Sequence, residues 1–438
     1  MRLSRSVQEV VDNQLCTQCG TCVSVCPVQA IEMRETPAGM LVASVQEEKC
    51  DQCGLCRLVC SGADFEMEDL ENIDPFKGRV LKAYVGHAGN EAIRASGQSG
   101  GVVSALLLFL LENRRIDSAL ITSMPADGSL RPHPILARTK GEILAAQGSK
   151  YCPVAPSTLL GRVENGERIA AVGIPCQMHG IYKLSRHRNP LASGIKYKIG
   201  LFCDRTLFYS CIEQMARKAH LKMKDVAGLE YRSKSRNGWP GEVCFHLVSG
   251  EKRFFSPSLR SSLKEFFTPL RCRLCFDKLN VFCDLSVGDA WGISESAKGD
   301  SVILARNEAG NLLIRDAMAQ GFLETKEIDA ELVFNAQNIE KRRLDFSSFM
   351  KLYGRGGHLL PEYKGLMTEF LKAGNKALDA QNKRRLNYSL DIAGSATKEN
   401  ALARARAWQR KQKRDLFFAS LLGKLKGWIR ALCAGDDL

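Results

Sequence analysis

Two cysteine-rich runs near the N-terminus constrain the fold of this 438-residue chain more than any other feature. Each run has the spacing C-x2-C-x2-C-x3-C, the first beginning at Cys16 and the second at Cys50. In this spacing three thiolates on one tight loop cap three irons of a 4Fe–4S cluster, and the fourth ligand comes from elsewhere in the chain. The repeat therefore predicts two such clusters in a small N-terminal unit.

The repeated spacing is that of two-cluster bacterial ferredoxins, in which the fourth cysteine of each run serves the other cluster. Gly20 and Gly54 fall where each loop must curl around its cluster, a turn that glycine makes at the lowest steric cost. Zinc knuckles or disulfides are the alternatives, but two matching four-cysteine runs favour clusters. The ferredoxin arrangement predicts one cluster on Cys16, Cys19, Cys22 and Cys60, and the other on Cys26, Cys50, Cys53 and Cys56.

Cysteine usage and hydropathy indicate the compartment. The chain has 17 cysteines, an odd total concentrated in cluster-type runs, which fits a reducing environment better than a disulfide framework. The N-terminus has no apolar run like that of a signal peptide. The longest apolar stretch, residues 102–111, is shorter than the ~20 residues needed to span a bilayer. We expect a cytoplasmic protein.

The net charge of +14 is unevenly distributed. Residues 1–75 carry 5 Lys/Arg against 13 Asp/Glu, a net charge of −8, whereas residues 383–433 carry 13 against 3, a net charge of +10. Such opposite ends suit docking on electron-transfer partners or on an anionic surface, and solvated helix faces are an equal alternative. Few aromatic residues interleave with the basic run, so nucleic acid is not an expected partner.

The pattern beyond the cysteine runs predicts an α+β protein with three parts. Residues 1–75 form a two-cluster ferredoxin domain that ends in an acidic linker. Residues 80–335 alternate strands and helices as a mixed α/β body, with an expected helix at 99–111 and strands at 169–173 and 196–203. Residues 336–438 form a helical basic tail.

The last helix of that tail is expected at Asp415–Cys433, with apolar residues at three- and four-residue spacing and Lys424, Lys426 and Arg430 between them. A helix of this kind can lie peripherally on a membrane, or pack on a partner or on its own body.

Four further motifs carry chemistry. Ser99-Gly100-Gly101 precedes the expected helix, whose first N–H groups can receive a phosphate. Residues 147–151 (Gln-Gly-Ser-Lys-Tyr) supply a donor-rich loop with one cation and one ring. Cys176 follows a strand directly, where sites in α/β folds tend to lie. A separate C-x2-C pair, Cys272 and Cys275, precedes a strand that ends in Gly-Asp-Ala-Trp-Gly.

In their order and spacing these four motifs resemble the coenzyme F-420 hydrogenase/dehydrogenase beta subunits, over residues 83–331. That family also includes divinyl chlorophyllide reductases and 7-hydroxymethyl chlorophyll a reductases. The resemblance implies an iron–sulfur flavoprotein that binds FAD in a fold of its own, and the Gly-x-Gly-x-x-Gly fingerprint of the Rossmann fold is absent near Gly100. Fusion to a two-cluster ferredoxin head is also an arrangement of the family.

Carried over by position, the resemblance implies three sets of site residues. Ser99, Gly100 and Gly101 would hold the FAD pyrophosphate. The flavin would be lined by Gly148, Ser149, Lys150 and Tyr151. A third 4Fe–4S cluster would be ligated by Cys176, Cys203, Cys272 and Cys275.

The residues themselves leave alternatives open at several of these positions. Cys272 and Cys275 suit a small zinc site as well as a cluster, Cys176 suits a nucleophile, and Cys203 by itself is typical of a buried strand. Lys150 is the catalytic candidate, because a cation beside the flavin stabilises its reduced anionic form, and packing or phosphate contact is the alternative. His133 and His179 are either proton donors or structural residues. The other cysteines are expected to be ordinary core or surface residues: Cys152, Cys211, Cys244, Cys283 and Cys433.

The expected function follows from what each cofactor carries. Clusters pass one electron at a time and hydride donors deliver two, so a flavin converts between them. The resemblance implies an oxidoreductase that passes electrons between a two-electron substrate, with coenzyme F-420 as the first candidate, and clusters that exchange with ferredoxin or a larger complex. The alternatives are a ferredoxin-driven reductase of a dedicated organic substrate from a pigment or sugar-polymer pathway, a non-catalytic electron-relay subunit, and a redox sensor.

Overall fold

The structure is a computed structural model of the chain. It describes residues 6–65, 73–125, 127–363, 372 and 374–433, with the side chains of residue 419 and residues 421–433 excepted. The acidic linker expected at residues 66–71 and most apolar positions of the expected last amphipathic helix lie outside the residues and side chains described.

The strands of the described residues are numbered along the chain as β1 Ile31–Glu35, β2 Leu41–Val45, β3 Asp64–Phe65, β4 Lys82–Ala88, β5 Ser118–Ser123, β6 His133–Ala137, β7 Ile169–Gly173, β8 Ile195–Leu201, β9 Val226–Ser233, β10 Glu242–Leu247, β11 Lys252–Phe255, β12 Leu285–Asp289, β13 Ser301–Ala305, β14 Leu323–Ile328 and β15 Glu362–Tyr363.

The helices of the same residues are α1 Gln8–Asp12, α2 Thr21–Ser24, α3 Leu55–Leu58, α4 Glu91–Ser96, α5 Val102–Glu112, α6 Lys140–Ala145, α7 Pro175–Arg186, α8 Ser210–Lys218, α9 Ser258–Ser261, α10 Leu270–Arg273, α11 Glu308–Ala319, α12 Ala330–Ala336, α13 Ile339–Arg355, α14 Lys376–Ala393 and α15 Lys398–Cys433.

The body is built on one eight-stranded mixed sheet with the order β14-β4-β13-β12-β8-β7-β5-β6. The four strands β12, β8, β7 and β5 run parallel, and antiparallel neighbours extend the sheet on both sides. The parallel strands are short, and β7 is continuously apolar, as expected where helices or loops cover both faces, whereas β8 carries Lys196 and Lys198. Their carboxyl ends therefore meet at one edge of the sheet.

The two faces of this sheet lie in different cores. Alternate residues of β5 separate them, because Ala119 and Ile121 join the core that holds α5 and α11, whereas Leu120 faces the core that holds α7. This second core continues without a break into the N-terminal head, where it includes Val10, Leu15 and other apolar residues. The head and the body therefore share one apolar core.

A smaller three-stranded antiparallel sheet, β11-β10-β9, forms a separate core with α8. Residues of α14 and α15 complete this core, since Ile392, Ala401 and Ala405 are fully buried. The first part of the basic segment is thus packed on the body. Farther along α15, Leu416, Phe417 and Phe418 are exposed.

The predicted α+β architecture is confirmed: a ferredoxin-like head, a mixed α/β body and C-terminal helices. The expected strands agree with the structure to within a few residues. The helix expected from Ser99 begins only at Val102, because Gly101 has φ +74° and ends the turn before it. Strands β6, β9 and β14 and the helix α7 were not expected from the sequence. The three domain boundaries stay a prediction.

Within the part of the chain that the structure describes, no helix is long and apolar enough to cross a membrane.

Candidate functional site

The two cysteine loops of the head have the same backbone conformation. Gly20 and Gly54 both have φ +82°, and each begins a short helix, α2 or α3, that carries the third cysteine of its run. Gln18 and Gln52 also share a positive φ, of 66° and 57°. Identical turns in both runs are what a repeated ligand loop requires, since residues with positive φ point successive N–H groups and thiols inward.

The structure places the fourth cysteine of each run beside the other loop. Burial raises the pKa of the Cys60 thiol to about 12, and the neighbouring Cys19 and Cys16 add to this effect. At the opposite end Cys26 lies close to Cys53. The Leu55 amide lowers the pKa of the Cys53 thiol, but burial, Asp51 and Cys26 raise it by more. The crossed ligand sets of the ferredoxin arrangement therefore match the positions of these thiols.

The four cysteines expected to ligate a third cluster line one cavity beside the head. They come from four places in the chain: Cys176 from the first turn of α7, Cys203 from the end of β8, and Cys272 and Cys275 from α10 and the turn after it. Burial raises the pKa values of Cys176 and Cys203 well above the usual range, and the other thiols of the set add to this. Elements distant in sequence thus converge on one thiol-lined space.

The spacing of the thiols bears on the zinc alternative. A tetrahedral zinc site with Zn–S bonds of about 2.3 Å holds its sulfur atoms about 3.8 Å apart. Among the described residues, the one set of three potential ligand atoms within 4.8 Å of one another belongs to Glu230, Cys244 and His246, and to none of the cluster cysteines. The described cysteines are also free thiols. The thiols of the predicted cluster ligands are thus spaced more widely than the sulfur atoms of a tetrahedral zinc site. Such spacing suits a four-iron cluster better than a single zinc ion.

His179 provides a second test of whether the cavity suits a cluster. Its ring is fully buried, lines the cavity, and stacks between Phe65 at 5.0 Å and Phe282 at 4.4 Å. Neither ring nitrogen makes a hydrogen bond of good geometry among the described residues, and the weaker contact with the Ser61 backbone only partly offsets the effect of burial on the His179 pKa, so the site can accommodate a better acceptor. Burial lowers the pKa of His179 well below its usual value, so the ring is neutral and has one N–H to donate. A cluster sulfur would satisfy it.

Arg271 adds a positive charge to the same cavity. Its guanidinium donates to Leu274 O at 2.7 Å and to Ser61 O at 3.3 Å, and its Nε has no partner among the described residues. Burial raises the pKa of the Cys275 thiol to about 11, and the Arg271 charge opposes that effect. A buried cation and an unpaired donor fit an anionic group, such as a thiolate-ligated cluster. The residues present therefore fit a third 4Fe–4S cluster.

Helix α7 joins this cavity to the first cysteine loop of the head. The Cys176 Sγ lies 3.7 Å from Thr17 O, next to Cys16. One turn later Gly180 approaches the loop so closely that a Cβ added there would lie 2.4 Å from Thr21 Oγ1 and 3.5 Å from the Cys19 Sγ. At the next turn the buried Lys183 donates to Cys60 O at 3.1 Å. One helix thus contacts both ligand sets.

The two motifs predicted to bind FAD are also adjacent. The Ser149 amide donates to Gln98 Oε1 at 2.9 Å, which ties the 147–151 loop to the turn before α5. The N-terminus of α5 has no side-chain cap, so its first N–H groups are available to a phosphate, although the Gly100 N–H is held by Ser301 Oγ at 3.0 Å. At Gly148, with φ +90°, an added Cβ would meet no atom within 4 Å. The free N–H groups at the start of α5 and the open loop at Gly148 fit an anionic group.

The Lys150 side chain lies against backbone carbonyls of the residues just before it. Its amine donates to Ala146 O and Gln147 O, the carbonyls at the end of α6, and burial lowers its pKa to about 8. The amine is therefore buried against backbone carbonyls, and its role toward a flavin stays a prediction.

β9 and its neighbours place polar residues beside the two motifs predicted to bind FAD. The sequence did not single out these residues. Arg232 makes a two-pronged ion pair with Asp289 at 2.8 and 3.1 Å and contacts the Tyr151 hydroxyl at 3.4 Å. Lys234 donates to three backbone carbonyls, including Ser99 O at 2.8 Å. Burial lowers its pKa to about 8. The one available signal was the alternation of charged and apolar residues along β9.

Two neighbouring residues connect the 147–151 loop to the cavity lined by Cys176, Cys203, Cys272 and Cys275. The Leu207 amide donates to Tyr151 O at 3.2 Å, and its neighbour Thr206 contacts the Cys272 Sγ at 3.7 Å. The expectation that Cys152, Cys211 and Cys283 are ordinary residues fits their burial, Cys244 lies in the Glu230–Cys244–His246 group, and Cys433 lies outside the described side chains. His133 is exposed on β6, away from the residues discussed above.

Family models match most of this architecture. The models described as coenzyme F420 hydrogenase/dehydrogenase beta subunit, N-term and C terminus, match residues 83–160 and 166–331. A 4Fe-4S dicluster domain matches residues 15–62. The chain belongs to the coenzyme F420 hydrogenase/dehydrogenase beta subunit family. It is an iron–sulfur member of that oxidoreductase family, with a two-cluster domain ahead of the family body.

Individual relatives are similar over most of the chain. An uncharacterised protein of Methanocaldococcus jannaschii is 28% identical over 78% of this chain and 99% of its own length. The coenzyme F420-dependent sulfite reductase of the same organism is 29% identical over 79% of this chain but only 51% of its own length. One of the subunits that make up the F420H2 dehydrogenase of Methanosarcina mazei is 25% identical over 71% of this chain and 86% of its own length.

A solved structure supports the fold alone. A chain of the F420-reducing [NiFe] hydrogenase complex of Methanosarcina barkeri superposes with a TM-score of 0.51 at 20% identity, over 64% of this chain and 94% of that chain.

Proposed function

We propose that this chain is an iron–sulfur flavoprotein that exchanges an electron pair with reduced coenzyme F420 and passes single electrons through a third cluster to the two head clusters. Relatives whose names refer to coenzyme F420 as substrate support the choice of substrate. The observation that carries the proposal is α7, which contacts the third thiol set at Cys176 and the first head loop at Gly180. FAD, when bound, accepts two electrons together and releases them singly.

The residues of the chain would position the cofactor and exclude water. The uncapped start of α5 and the Ser99–Gly101 turn would hold the pyrophosphate, and Gly148–Tyr151 would lie along the ring system. Lys234 holds the Ser99 turn in place through its carbonyl bonds, and the Arg232–Asp289 pair fixes the orientation of Tyr151. The Lys150 amine would break one of its two hydrogen bonds to backbone carbonyls in order to face the flavin.

The order of the clusters follows from the contacts of the thiols. The third set touches the first head loop through Thr17, and the first loop is covered by the body. Cys53 of the second loop is exposed. The proposed path therefore runs from flavin to third cluster, then to the cluster of Cys16, Cys19, Cys22 and Cys60, and leaves through the cluster of Cys26, Cys50, Cys53 and Cys56.

The first experiment measures the iron and FAD content of the purified protein. Protein purified without oxygen should hold about 12 irons and one FAD per chain. Eight irons would remove the third cluster from the proposal, and protein that binds no flavin would overturn it.

The second experiment identifies the electron donor. In stopped-flow mixing, reduced coenzyme F420 should bleach the flavin faster than NADH or NADPH does. Bleaching by reduced ferredoxin alone would favour a ferredoxin-driven reductase, and bleaching by none of these donors would favour a relay subunit. Two relatives are named as subunits of a coenzyme F420 hydrogenase and of an F420H2 dehydrogenase. These names support a larger redox complex as the partner.

The proposed contact of residues 415–433 with a membrane needs a truncation that leaves the body intact. Removal of residues 383–438 would delete Ile392, Ala401 and Ala405 from the core, so the cut belongs after residue 415. Equal partition of the full and shortened chains onto anionic liposomes would overturn the membrane contact.

A further inference from the structure

Equivalent positions of the two cysteine loops have opposite surroundings and opposite polarity. Thr21 of the first loop is 0% exposed and contacts the body, and Ser24 donates to Ser157 O at 2.5 Å. Leu55 and Leu58 occupy the matching positions of the second loop, and their relative exposures are 38% and 43%. The polar residues of the first loop are therefore buried or half-buried, while the matching apolar residues of the second loop face solvent, the reverse of the usual preference.

The exposed apolar residues lie around one predicted cluster. Leu55 and Leu58 are three residues apart on α3 and so project from the same side of that helix. Val28, which is 42% exposed, comes two residues after Cys26, a predicted ligand of the same cluster as the exposed Cys53. A single exposed leucine needs no explanation, but three exposed apolar residues beside an exposed cluster ligand indicate an interaction site.

Charges near this group are mainly negative. Glu47, Glu48 and Asp51 are exposed next to the second run, Lys49 is the one exposed cation among residues 47–56, and the half-buried Arg57 of α3 pairs with Glu9 at 3.6 Å. An apolar centre with a charged rim is the usual composition of a protein interface, and the sign of the rim selects the partner. A basic rim on the partner would complement it, whereas an acidic partner would be repelled.

We propose that this outer face, formed by Val28, Cys53, Leu55 and Leu58 with the acidic rim of Glu47, Glu48 and Asp51, is the docking surface for a one-electron redox protein that presents an apolar patch ringed by Lys or Arg. The inference rests on the proposed function, in which the second cluster is the exit of the electron path. The step at this face moves one electron from the reduced cluster to the acceptor, with no atom or proton transferred.

The test replaces the exposed leucines of the second loop by the residues found at the matching positions of the first loop. The full chain, reduced with dithionite and freed of excess reductant, is mixed with ferric cytochrome c, whose haem edge is ringed by lysines. Leu55→Thr/Leu58→Ser should lower the second-order rate of haem reduction about tenfold. Glu47→Gln/Glu48→Gln, which leaves the cysteine loop untouched, should lower that rate at low salt and flatten its dependence on ionic strength.

Matched controls separate docking from loss of the cluster. Val248→Thr changes an apolar residue that is 70% exposed in the β10–β11 turn, and it should leave the rate unchanged. Duroquinone, a small uncharged acceptor, should be reduced by all variants within about twofold of the wild-type rate. Ferric cytochrome b5, whose haem edge is acidic, should react more slowly than cytochrome c.

Two results would overturn the docking surface: an unchanged cytochrome c rate in both multiple variants, or equal rates with the basic and acidic cytochromes. Failure of the proposed function has a different signature, because it would appear as missing iron or flavin in the wild-type protein.

Discussion

The two cysteine loops of the head are nearly the same in sequence spacing and backbone, yet they differ in environment. Both have their glycine at φ +82° and carry their third cysteine on a short helix. The first loop is buried against the α/β body, with Cys19 and Thr21 shielded, whereas the second presents Cys53 to solvent. The motif determines local ligand geometry, and the residues between the cysteines determine what the loop contacts.

Loss of one ligand from each loop should have the largest and most unequal effects. Cys19→Ser and Cys53→Ser should each remove about four of twelve irons. Cys19→Ser should also stop electrons from passing between the third cluster and the outer one, because the first cluster lies between them. Iron analysis with low-temperature EPR of the dithionite-reduced and the flavin-reduced protein measures both effects. Equal EPR patterns in the two variants would contradict the proposed order of clusters.

Iron chelation should separate the loops in time. Because Cys53 is exposed and Cys19 is buried, a chelator should release about four irons in a first phase, roughly tenfold faster than the rest. Mass spectrometry after alkylation of the freed thiols should find Cys53 labelled before Cys19. Release of all iron in one phase would show that the loops are equally protected.

Gly180 tests the close contact that only the first loop makes. In Gly180→Ala the new Cβ would lie 2.4 Å from Thr21 Oγ1, and we expect overpacking to lower the free energy of unfolding by about 1–3 kcal/mol. The control is Gly141→Ala, since Gly141 is also helical and its Cβ would meet no atom within 4 Å. That control should be neutral or stabilise by up to about 1 kcal/mol. Urea denaturation monitored by circular dichroism measures both, and equal values would refute the contact.

His179 has the smallest expected effect, and it has no counterpart beside the second loop. His179→Phe retains a ring between Phe65 and Phe282 but removes the N–H donor. Loss of one hydrogen bond of about 1 kcal/mol to the cluster should lower its midpoint potential by about 40 mV. A redox titration followed by EPR measures the shift, with His133→Phe on the exposed β6 as control. An unchanged potential with full iron content would rule out the hydrogen bond.

The sequence was most informative where chemistry requires fixed local spacing. The glycine turns at residues 20 and 54 and most strands of the body followed from residue patterns alone. The thiols of Cys176 and Cys203 came together only through the family resemblance, because no local pattern shows which strand ends are neighbours in a sheet.

Contacts that depend on distant segments were not predictable. In the sequence, Pro175 and Cys176 simply follow a strand. No neighbouring residue indicates that they begin helix α7 or that later turns of this helix contact the head. The position of Lys150 was missed for a different reason, since its partners Ala146 O and Gln147 O are local and lie just after the end of the short helix α6. Arg232 and Asp289 are 57 residues apart and meet only because the end of β9, in the small sheet, packs against the end of β12 in the main sheet.

The bonds of Lys183 have a consequence for how the head can work. This buried amine holds Cys60 O at 3.1 Å and Asp64 Oδ1 at 2.6 Å from within a helix of the body. A head fixed in this way does not travel between a loading and an unloading position, as tethered carrier domains do. Transfer from flavin to the outer cluster should therefore be insensitive to solvent viscosity, and only the encounter with the external partner should slow as glycerol is added.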